Sequence, residues 1–201
     1  MTATATDTVV ELEAATEAIR NFLVALGRDP DDEPLVGTPE RVARACARLL
    51  APRAAEPTIV PNDEGYDDLV LARDIPFVSL CSRHLLPLRG VAHVGYLPDR
   101  RIAERSALAR IVERCAADLQ SQERLTQLIA QHVVDRVAPK GAAVVLEAEH
   151  LCATAHESRS RSVTTAVRGV LRDDVRARFE FFTLTRRGRP ELALSTHPEV
   201  P

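Results

Sequence analysis

Apolar residues recur at helical spacing near the start of the chain. Val9, Leu12, Ala15, Ile19, Leu23 and Leu26 fall on one face until Gly27 stops the run, which predicts an amphipathic helix. A second helix is predicted from Gly37-Thr38-Pro39-Glu40, with Thr38 as the cap and Pro39 in the first turn. Val42, Ala45, Cys46 and Leu49 form its stripe, and it ends near Pro52. Pro52, Pro57, Pro61 and Gly65 then stand among acidic residues, so 51–67 reads as a linker or long loop. Beyond it the pattern shortens to strand length, as in Val91 to Leu97 closed by Pro98. Ser106 opens a helix carrying Leu108, Ile111, Val112 and Cys115. Another helix holds Leu125, Leu128, Ile129 and Val133 before Pro139-Lys140-Gly141. Val144–Cys152, Ser162–Leu171 and Ala177–Leu184 read as strands. The expectation is an α+β chain with a helical region and linker over 1–66 and a second domain over 67–201. Residues 1–8, rich in Thr and Ala, are expected to fray.

Composition narrows the function. A 201-residue chain that is 45% hydrophobic and 27% charged can bury a core, which excludes disorder as a whole. A formal net charge of -3 gives no electrostatic case for nucleic acid or an acidic membrane, and 3% aromatics with no Trp leaves no base-stacking platform. A small-molecule or protein partner is expected instead. Met1 to Glu11 lacks the basic and apolar regions of a secretory signal and no apolar run could span a membrane, so the expected location is cytoplasmic.

Four cysteines are too few for a disulfide framework, which leaves buried thiols or metal ligands. Cys46 and Cys115 lie on apolar helical stripes and read as buried and inert. Cys81-Ser82-Arg83-His84 offers a thiolate and an imidazole that a tight turn can bring to one ion, and strand alternation would put His150 and Cys152 on one face. Three ligands would leave a zinc ion one position for water, as in catalytic sites. Core thiols with unconnected histidines explain the same residues equally well. Glu123 is similarly open. Its carboxylate could accept from the N1–H and amine of a guanine-like ring, or it could be a solvated charge in a first helical turn.

Five motifs in order then resemble the GTP cyclohydrolase I family across nearly the whole chain. They are Gly37-Thr38-Pro39-Glu40-Arg41-Val42-Ala43, Cys81-x-x-His84, Arg110-Ile111-Val112, Gln122-Glu123-Arg124-Leu125-Thr126-Gln127 and His150-x-Cys152. The resemblance implies zinc held by Cys81, His84 and Cys152, with His150 as an acid-base group and Gln122 with Glu123 gripping the guanine edge. It implies substrate contacts at Ser106 and Arg110, and the tunnelling fold, a four-stranded antiparallel sheet with two helices. It also implies a homodecamer of two stacked pentamers with sites between subunits.

Several positions depart from that pattern. Ser82 and Arg83 stand where the family has Glu and His, and Ala107 stands where it has Lys. Thr154-Ala155-His156-Glu157 replaces a phosphate-binding run. Arg83 and His156 are therefore expected beside the substrate, and Arg83, Arg159 or Arg161 could rebuild an anion site. Each lost phosphate contact is worth roughly 1.5–3 kcal/mol. The reading from sequence is thus a zinc hydrolase acting on a guanine-type purine without requiring a triphosphate, by ring opening or deamination. Two alternatives accompany it. One is GTP hydrolysis to dihydroneopterin triphosphate and formate, and the other is an inactive purine-binding paralogue that regulates an active enzyme.

Overall fold

Two strands with alternating small and branched residues form the middle of the molecule, and their alternation decides which face receives helices. The computed structural model describes residues 11–51, 55–154 and 161–186; the expectation for residues 1–8 lies outside them. In chain order the helices α1 (Leu12–Ala25) and α2 (Thr38–Leu50) lead into β1 (Ile59–Pro61), β2 (Val70–Cys81), β3 (Pro87–Leu97) and β4 (Arg101–Ala103). Next come α3 (Ala107–Ala116), β5 (Leu119–Gln120), α4 (Gln122–Val137) and β6 (Gly141–His150). The one-turn helix α5 (Leu151–Thr154), β7 (Arg161–Gly169), the one-turn α6 (Val170–Asp173) and α7 (Val175–Arg186) complete the order.

The large sheet runs β5-β2-β3-β6-β7. Its four long strands pair antiparallel in sequence order, and the two residues of β5 add to the end of β2 in parallel. On one face Ala92, Val94 and Tyr96 of β3 and Ala142, Val144, Leu146 and Ala148 of β6 are buried. They meet Leu108, Ile111 and Val112 of α3 and Leu125, Ile129, Val133 and Val137 of α4. Each large side chain there contributes about 1.5–3 kcal/mol by leaving water. The Tyr96 hydroxyl, carried into this core, accepts from the Ala103 amide at 2.8 Å and so ties β4 to the sheet.

The opposite face takes α7. A strand is expected over Ala177–Leu184, but the segment is helical. Asp174 Oδ1 accepts from the amides of Arg176 and Ala177, at 2.8 and 3.1 Å, and starts the helix. The buried positions are then Phe181 and Thr185, four apart, and Phe179 is left outside. Phe181 joins Ala143, Val145 and Leu171 in a second small core.

Three further boundaries differ from expectation. Gly37, at φ 75°, is the residue before α2, and Thr38 is already helical. The linker reading of 51–67 omitted β1, which pairs antiparallel with β4. The strand expected over Val144–Cys152 ends at His150, and Cys152 lies in α5.

Close approach requires glycine at position 90 of β3, where a Cβ would stand 1.9 Å from the Glu147 carbonyl oxygen. Gly90→Ala is therefore expected to lower stability by about 1–3 kcal/mol, read as an earlier urea midpoint. An unchanged midpoint would mean that the β3–β6 register tolerates a side chain there.

Candidate functional site

Cys81 ends β2, and the backbone turns back on it at once. The amides of His84 and Leu85 donate to Cys81 O at 3.3 and 2.8 Å, and the Cys81 amide donates to Leu86 O at 2.9 Å. Leu85 takes φ 55° to close the reversal. The turn brings His84 Nδ1 to 3.6 Å from Cys81 Sγ. On the other side, register pairs Leu88 with His150, and the helical turn after His150 delivers Cys152. The donor atoms of Cys81, His84 and Cys152 all lie within 4.8 Å of one another.

This donor set suits a zinc ion. Zn–S near 2.3 Å and Zn–N near 2.0 Å put tetrahedral donors about 3.5–3.8 Å apart, the scale of the Cys81–His84 separation. Cys81 and Cys152 are 6% and 8% exposed as residues, whereas His84 is exposed. Burial pushes the Cys152 thiol up, and neighbouring Cys81 pushes it further. Two facing thiolates repel, and a divalent cation between them removes that repulsion. The expectation that His150 and Cys152 share a strand face does not hold, because the extended backbone stops between them. It is the helical turn that aims Cys152.

A family model described as GTP cyclohydrolase I matches residues 15–186. The chain belongs to the GTP cyclohydrolase I family. It is 41% identical over 183 residues to a protein of Acetivibrio thermocellus named GTP cyclohydrolase 1, covering 88% of this chain and 98% of that one. A protein of the same name from Bifidobacterium longum strain DJO10A is 48% identical over 168 residues, covering 80% and 84%. One from Corynebacterium glutamicum strain R is 43% identical over 182 residues, covering 87% and 93%. The α+β arrangement is compatible with the fold of the GTP cyclohydrolase I family.

The other positions that the resemblance singles out lie on or beside β6, α3 and α4. His150 ends β6, and its Nε2 lies 2.8 Å from Gln122 Oε1. Gln122 opens α4 but is buried, while Glu123 beside it is exposed. Ser121 caps that helix by accepting from the Arg124 amide at 3.2 Å, and the helix dipole favours a carboxylate at Glu123. Ser106 precedes α3, is exposed and makes no side-chain capping bond. Arg110 donates to the Glu56 carbonyl oxygen at 3.2 Å. The Glu56 carboxylate in turn holds Arg114 and Arg136, at 3.0 and 2.8 Å. Ala107 is fully buried. Ser82 and Arg83 are exposed in the metal turn, and Arg161 is exposed at the start of β7. His156, Glu157 and Arg159 lie outside the described residues.

Cys46 and Cys115 are absent from the ligand cluster. Cys115 is buried with its thiol pushed up to about 12 by burial, an inert state, whereas Cys46 is half-buried. Reading the sequence did not anticipate the polar seam behind His150, in which Thr126 Oγ1 donates to Gln122 O at 2.7 Å and meets Thr164 Oγ1 at 2.6 Å. Thr126 falls four residues after Gln122 on an otherwise apolar helix face, and that spacing is the available signal.

Proposed function

We propose that the chain is a zinc-dependent GTP cyclohydrolase I that opens the imidazole ring of GTP with water and yields formate and dihydroneopterin triphosphate. The observation that carries this reading is the convergence of the Cys81, His84 and Cys152 donor atoms in a chain of that family. Relatives named GTP cyclohydrolase 1, aligned over 80–88% of the chain, support GTP over the smaller, less anionic substrate favoured from sequence alone. A zinc ion in this set would supply Lewis-acid activation of water. Glu123 accepts two hydrogen bonds from the guanine N1–H and amine, and so orients the base. His150 moves the proton at the ring under attack. Ser106, Arg110 and Arg83 serve the phosphate tail, and His156 is a further substrate-binding residue.

The N-terminal region over 1–66, which carries α1 and α2, serves a catalytic domain over 67–201, and the location is cytoplasmic. Among the described residues no helix is long and apolar enough to cross a membrane. The working form is a homo-oligomer, a decamer of two pentamers, with pockets between subunits. Its support is the sheet itself, where β7 pairs only with β6 among the described residues, and Val78 and Val163 are 47% and 59% exposed.

A second reading, a guanine nucleoside or base without phosphates, draws on Arg110 being engaged by Glu56 and on the small apolar Ala107. Formate release from GTP, guanosine and guanine, before and after chelation, separates the two. Chelator-sensitive formate from GTP supports the first reading, and release from guanosine but not GTP supports the second. No release from any of them would leave the inactive paralogue standing.

Glu123→Gln keeps one acceptor and loses the charge, at a cost of roughly 1.5–3 kcal/mol. The expected result is a fall in kcat/KM of about tenfold to a hundredfold, with zinc content unchanged. An undiminished kcat/KM would remove Glu123 from the base pocket.

A further inference from the structure

Gln122 carries a side chain whose surroundings do not match a role at the guanine edge. It stands directly before the exposed Glu123, yet only 1% of it is accessible. Its Nε2 lies 3.1 Å from Leu146 O on β6 and 3.0 Å from Ser162 O on β7. Both partners are backbone carbonyls, which accept and cannot donate, so the amide nitrogen faces them and both its hydrogens are used. Oε1 therefore faces His150 as an acceptor, and a 2.8 Å contact there needs a hydrogen on the imidazole Nε2. Turning the nitrogen of this amide toward a purine would first break its two bonds to main-chain carbonyls, one buried and one partly buried. Such donors and acceptors are costly to leave unsatisfied.

We propose that Gln122 is a positioning residue that holds His150 as the Nε2–H tautomer, so that Nδ1 is the ring atom presenting a lone pair. The Gln122 main chain is itself fixed, because its carbonyl accepts from Thr126 Oγ1, and Thr126 is tied to Thr164 of β7. The tautomer of His150 is thus set by a three-element anchor of α4, β6 and β7. The use made of that tautomer rests on the proposed acid-base role of His150. The tautomer itself does not.

The test is nitrogen NMR on the full chain with 15N-labelled histidine, with and without zinc, at a pH about two units above the ordinary imidazole value of 6.5. The His150 resonances are those lost in His150→Gln. In the wild-type chain the proton is expected on Nε2, and a proton on Nδ1, or an even mixture, overturns the proposal. Gln122→Met has similar length and no hydrogen-bonding atoms, and is expected to raise the share of the Nδ1–H form of His150. A single Nε2–H form persisting in that variant overturns the proposal as well. If the variant fails to fold, the wild-type spectrum alone decides. With GTP as substrate, Gln122→Met should lower kcat by up to about a hundredfold at nearly constant KM. A rise in KM at constant kcat would return Gln122 to the base pocket. Should GTP not be turned over at all, the proposed activity fails while the spectrum still answers for Gln122.

Discussion

Cys152→Ala is expected to leave a folded chain that has lost both its zinc and its formate release from GTP. The thiol sits in the one-turn α5, outside the sheet ladders, so its removal leaves the β3–β6 pairing untouched. What remains is one thiolate and an exposed imidazole, a set far weaker than three ligands. Removing even an outer-shell partner of a metal ligand costs about tenfold to a hundredfold in affinity, so loss of a ligand itself should exceed about a hundredfold. Elemental analysis of the purified variant reads the metal, and circular dichroism reads the fold. Full zinc content in a folded Cys152→Ala chain would dismiss the proposed centre, whatever the activity.

His150→Gln tests the proposed acid-base role apart from metal binding. The side chain ends β6 and contacts Gln122 rather than joining the three donor atoms, so zinc content should be unchanged. Positioned proton transfer contributes about a hundredfold to ten-thousandfold, and kcat is expected to fall by that factor. Steady-state formate release together with metal analysis checks both halves. A variant with near-normal kcat would show that another group handles the proton.

Most helices could be read from the sequence because their signals are local. The stripe from Leu12 to Leu26 became α1, and Leu108, Ile111, Val112 and Cys115 became the buried face of α3. The run Val91 to Leu97, of strand length and closed by Pro98, became the inner part of β3 for the same reason. Elements that depend on partners distant in sequence were harder. The three residues of β1 are a strand because β4 is beside them, and α7 is a helix because Asp174 caps it and Phe181 and Thr185, four apart, are buried together. At the site, the metal trio stood out by residue type and family spacing. The environment of Gln122 did not, since its partners are two main-chain carbonyls that carry no side-chain signature.

The reversal at Cys81 is held by main-chain bonds from Cys81, His84 and Leu85, while Ser82 and Arg83 project outward at its tip. The socket and its rim are therefore separable. The two rim residues can be exchanged without disturbing where the sulfur and imidazole stand. Variants at those two positions therefore alter the lip of the turn and leave its framework alone.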